Sequence, residues 1–129
     1  MALRRSLPDI PPAVLERLAH LPLDFRSGEL SPVALVAQSG FDPSRHVLSI
    51  SIAREYLRQH PDLIDVWLGW SEDKRSSPAW GFQVHGSGAS IFYNGQPPVQ
   101  QSFPTALDAC AAFIVEEIRS LVQYLPPAT

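Results

Sequence analysis

The sequence predicts an α+β fold: two or three N-terminal helices, a three- to four-stranded antiparallel meander, and one long C-terminal helix packed on the sheet. Three observations carry that reading. Apolar residues recur at helical spacing as far as residue 59, the period drops to two from residue 64, and helical spacing returns from residue 104. Helices, then strands, then a helix is the order expected when helices gather on one face of an antiparallel sheet. The 129 residues suit a single domain, and 45% apolar with 18% charged residues is an ordinary globular composition. Thirteen prolines fall singly or in pairs at element ends, and residues 1–8 and 126–129 read as flexible tails.

Pro11 to Leu21 reads as the first helix, with Val14, Leu15, Leu18 and Leu21 on one stripe and Pro22 as its stop. Ser31-Pro32 signals a second start and Gly40 its end. Asp42-Pro43 repeats the start signal, so the third helix is expected from Pro43 to about Gln59. VLSISI, residues 47–52, also carries a partial strand alternation. Past His60-Pro61, Ile64, Val66, Leu68 and Trp70 alternate with Asp65, Trp67 and Gly69, which predicts a strand. Trp80, Phe82 and Val84 predict a second strand whose other face carries Gly81, Gln83 and His85. HGSGA (85–89) then turns into a third strand, Ser90 to Tyr93. Asn94-Gly95 is a two-residue hairpin signal of type I′, and Val99–Phe103 a weaker edge strand behind Pro97 and Pro98. Leu107, Cys110, Ala111, Ile114, Ile118, Leu121 and Leu125 set the last helix, from Pro104 to Tyr124, with Thr105 and Asp108 as a capping pair. Glu116, Glu117 and Arg119 fall to its wetter side.

Composition excludes several chemistries. The single cysteine, Cys110, rules out a disulfide framework and a cysteine-based zinc site, and it fits a reducing compartment. No apolar run approaches the roughly 18–20 residues of a membrane span, and no secretory signal follows the Arg4-Arg5 pair. A cytoplasmic protein with no membrane partner is the expectation. Residues 1–60 carry a net charge of +1 and residues 61–129 a net of −4, so neither half offers the basic footprint that nucleic acid requires. A basic protein surface suits the acidic half better.

No reactive constellation stands out. His20, His46, His60 and His85 share no helical spacing, and no metal-binding or phosphate-loop motif occurs, so neither a metal site, a cofactor nor a catalytic residue is assigned. The turn around His85 lacks the strand–turn–helix context of a nucleophile elbow. What remains is the stretch from Asp65 to Val84, DVWLGWSEDKRSSPAWGFQV, in which three tryptophans flank a charged tip. Trp70 and Trp80 read as core. Trp67 falls on the opposite strand face, where it is either covered by an N-terminal helix or exposed as a binding hot spot. The expected binding surface comprises Trp67, Glu72, Asp73, Lys74, Arg75, Gln83 and His85. The expected function is a small non-enzymatic protein-binding module, such as an inhibitor or immunity-type protein blocking a basic partner. The alternatives are a small enzyme with a site between helices and sheet using His85 or His46, and a subunit that pairs into a homodimer or larger homo-oligomer.

Overall fold

The computed structural model describes residues 7–73 and 79–125. It is α+β, as the periodicity predicts. Five helices, α1 (Pro12–Ala19), α2 (Leu21–Ser27), α3 (Pro32–Ser39), α4 (Ile50–Gln59) and α5 (Asp62–Asp73), precede three strands, β1 (Trp80–His85), β2 (Gly88–Tyr93) and β3 (Val99–Phe103), and α6 (Ala106–Val122) closes the chain. The strands form one antiparallel sheet in the order β1-β2-β3, with Phe82 opposite Ile91 and Ile91 opposite Gln101. Of the predicted tails, only Leu7 and Pro8 are among the described residues, and the Pro8 carbonyl accepts from Val47 N–H at 2.9 Å.

Local signals explain most element ends. Ser31 Oγ accepts from Ala34 N–H at 3.1 Å, and Gly40 closes α3 in the left-handed region at φ 86°, where a side chain would be strained. Thr105 Oγ1 accepts from Asp108 N–H at 3.1 Å, the cap expected for α6, and the Asp108 carboxylate also meets Arg54 Nε of α4 at 2.7 Å. Two boundaries differ from expectation. Pro22 does not end the helical region, because it sits in the first turn of α2, where a missing N–H costs nothing. The helix expected from Pro43 begins only at Ile50, capped by Ser49. Asp42 instead accepts from Ser44 N–H and Oγ in a local turn, which holds its carboxyl below the usual range, and Val47 pairs with Asp9 in a parallel bridge. Asn94-Gly95 is not a type I′ turn, since neither residue takes a positive φ; residues 94–98 form a longer connection.

The largest correction concerns residues 64–70, which lie in α5 and not in a strand. Asp62 and Asp65 occupy its first turn, where the helix dipole favours acids. Leu63, Trp67 and Trp70 follow helical spacing, and the intervening Ile64, Val66 and Leu68 also pack against the core. A helix with partners on several sides reads as apolar at both periods. Trp67 is therefore buried at 0% exposure, and its indole N–H donates to the Ala19 carbonyl at 2.9 Å. That carbonyl belongs to the last turn of α1 and would otherwise lack a helical partner.

Helix α6 lies at the centre, against all three strands on one side and α3, α4 and α5 on the others. Every residue from Ala109 to Val115 is buried. Phe113 stacks on Phe82 of the sheet at 5.8 Å and meets Trp67 edge-on at 6.0 Å, so one ring joins all three layers. On the far face of the sheet, Phe92 lies across Gly81, where any Cβ would run into its ring.

Trp67→Phe keeps an aromatic ring but deletes the bond to Ala19. It is expected to lower unfolding stability by about 1–3 kcal/mol in urea titrations, the cost of leaving a buried carbonyl without its donor. Burial also pushes the Cys110 thiol well above its ordinary range. Cys110 should resist a thiol reagent at pH 8 in the native protein and react only as the chain unfolds; fast labelling of native protein would contradict this.

Candidate functional site

A concavity lies where α2 and α3 meet the end of α5, the start of β1 and the C-terminal half of α6. Its volume is about 750 Å³, within the range of small-ligand and side-chain pockets. Aromatic rings from five elements or their ends wall it. Phe25 comes from α2, Trp70 from α5, Trp80 from β1, Tyr93 from β2, and Tyr124 from just beyond α6. Phe25 meets Trp70 edge-on at 5.3 Å, and the cross-strand neighbours Trp80 and Tyr93 lie 5.3 Å apart on the helix-facing side of the sheet.

A carboxylate reaches the floor of this cleft. Glu117 is 2% exposed, and its Oε2 accepts from the Trp70 indole N–H at 2.7 Å. Burying a carboxylate is costly unless it is hydrogen-bonded, and the indole supplies one strong donor. Around the mouth, Arg26 lies 3.6 Å from Asp73, and Arg119 lies 3.0 Å from Glu116. These exposed pairs contribute little stability, but they leave the rim with both signs of charge.

The structure disperses the residues proposed from sequence. Trp67 is interior and offers no surface. Glu72 and Asp73 are exposed at the end of α5, and only Asp73 lines the cleft. Lys74 and Arg75 lie outside the described residues. Gln83 and His85 are exposed on the sheet face turned away from α6, so they share no site with Asp73. His85 Nε2 is 3.0 Å from Ser90 Oγ, yet Ser90 is only 1% exposed, which removes the hydroxyl from any substrate. His46 accepts from Asp42 N–H through Nδ1 in the 42–46 turn, and His20 and His60 both pack on Tyr56. None of the four histidines lines the cleft. Among the described residues no group of three or more His, Cys, Asp or Glu could hold a metal ion. No helix among them is long and apolar enough to cross a membrane.

Sequence reasoning missed Glu117 by assigning it to a wet helix side. The signal was present: Glu117 stands four residues after Phe113 and seven after Cys110, on the apolar stripe itself. Phe25 was missed because α2 was not expected. The fold and cleft thus define a small α+β protein with an aromatic, carboxylate-bearing cleft between its helical layer and its sheet. No protein-family model matches the chain, and neither a curated protein nor a solved structure shows significant similarity to it.

Glu117→Gln retains an oxygen for the Trp70 indole, whereas Glu117→Ala removes it. Stability should fall by about 1–3 kcal/mol for the alanine variant and less for the glutamine variant, with a shifted tryptophan emission in the former. Equal losses would mean that the hydrogen bond is not what Glu117 contributes.

Proposed function

We propose that the protein is a non-enzymatic recognition module that holds a cationic side chain of a basic partner protein in the aromatic cleft. The observation that carries this reading is the convergence of Phe25, Trp70, Trp80, Tyr93 and Tyr124 on one concavity that also contains the Glu117 carboxylate. Aromatic faces attract ammonium and guanidinium groups, and the apolar walls suit the methylene stem of Lys or Arg. The net charge of −4 over residues 61–129 favours a basic partner during encounter. Blocking of a basic partner, as an inhibitor or immunity-type protein would do, is the concrete form of this reading.

The test uses variants that leave the core intact. Phe25 is 42% exposed and Tyr124 is 73% exposed, so Phe25→Ala and Tyr124→Ala should fold normally. Lys- and Arg-rich peptides should bind in calorimetric titrations while acidic peptides of equal length do not. Each alanine variant should weaken binding by roughly 3- to 30-fold, the range of one cation–π contact. Binding of basic peptides that is indifferent to both variants would reduce the effect to bulk charge and remove the cleft from it.

A further inference from the structure

The two edges of the sheet are treated differently. Beyond β1 stands Ser71, in the last turn of α5. Phe82 N–H donates to Ser71 Oγ at 2.8 Å, and the Ser71 hydroxyl donates to the Phe82 carbonyl at 3.3 Å. One side chain thus satisfies both outward backbone groups of Phe82, as a fourth strand would.

This contact also fixes the hydrogen-bonding phase of the whole sheet. A strand residue points its N–H and C=O to the same side, so Phe82 points away from β2, and Phe82–Ile91 is a non-hydrogen-bonded pair. Ile91 must then bond towards β3, to its register partner Gln101. Gln100 and Ser102 consequently direct their N–H and C=O groups outward from β3. Among the described residues, no backbone group outside the sheet pairs with them.

We infer that this edge is the contact between two copies of the chain, paired antiparallel about a two-fold axis through Gln101. The outward phase allows that register. Gln100 N–H and C=O meet Ser102 of the second copy, and the symmetric pair forms on the other side of the axis, giving four backbone hydrogen bonds. Val99, which is 44% exposed, comes opposite Phe103 of the second copy on the helix-facing side. Pro98 comes opposite Pro104 of the second copy, and neither has an N–H to leave unpaired, so the pairing closes at both ends.

The segment PVQQSFP is thus apolar–polar symmetric about Gln101, as an isologous contact requires. Residues 96–105 contain no ionisable side chain, so the symmetric pairing sets no like charges against each other. Exposed edges are blunted by charge, bulges or proline; β3 carries no charge, and its prolines stand only at its two ends. No residue of β3 lines the aromatic cleft, so this inference stands apart from the proposed function.

The experiment is sedimentation of the full chain at rising concentration, with two charge variants at the exposed position on the axis. Wild-type protein should move from its 14.2 kDa chain mass towards twice that value. Gln101→Glu and Gln101→Lys should each weaken self-association at least about fivefold, because like charges then face one another, and an equal mixture of the two should restore it. Amide exchange adds a local reading: Gln100 and Ser102 should gain protection with concentration, while Gln101, already bonded to β2, should not change. A wild-type mass that stays at one chain at NMR concentrations overturns the inference, as does a dimer that tolerates either charge variant alone.

Discussion

Helix α6 is apolar around most of its circumference, and the rest of the fold follows from keeping it out of water. From Ala109 to Val115 every residue is buried, so a partner on one side alone would not suffice. The sheet covers one side, and α3, α4 and α5 cover the others. Small residues make this possible: Ala109, Cys110, Ala111 and Ala112 let neighbouring elements approach closely, while Phe113 projects far enough to touch both Phe82 and Trp67. The helical layer is therefore not an appendage to a helix-on-sheet unit. It is the second half of the covering of α6.

That central position explains what could and could not be read from the sequence. Helices α1 and α3, the three strands and α6 were legible because each keeps a recognisable period or is bounded by turn residues, and because Ser31, Gly40 and Thr105 mark ends by local chemistry. Helix α5 was misread because it meets α2, α4, α6 and β1. Surrounded in this way, it has few positions that must be polar, and Ile64, Val66, Leu68 and Trp70 alternate by composition alone. The misreading moved Trp67 to the wrong face of an imagined strand. In the helix, Trp67 and Trp70 are one turn apart, and their rings lie 6.4 Å from each other.

The candidate site was less legible than the fold, for a related reason. Its walls come from segments far apart in the chain, and each ring has an adequate explanation as a core residue when read alone. Phe25 belongs to a helix of seven residues with a proline, Pro22, in its first turn, a pattern more easily read as a stop. Only tertiary structure brings Phe25 to Trp70, or sets Trp80 and Tyr93 beside the end of α6.

Glu117 shows how the architecture and the cleft depend on each other. An apolar residue at that position would continue the stripe of α6 and spare the desolvation of a carboxylate, and such replacements often leave a protein no less stable. The glutamate instead ties α6 to α5 by a 2.7 Å bond to the Trp70 indole. This bond orients Trp70 against Phe25 and fixes one wall of the cleft relative to its floor. Its placement is economical in geometry: the same α5 turn supplies Trp70 to the cleft and Ser71 to the edge of β1. A rotation of α5 that broke the Glu117 bond would also strip β1 of its substitute partner. The cleft wall and the sheet edge are thus set by a single helix turn, and neither can be altered without disturbing the other.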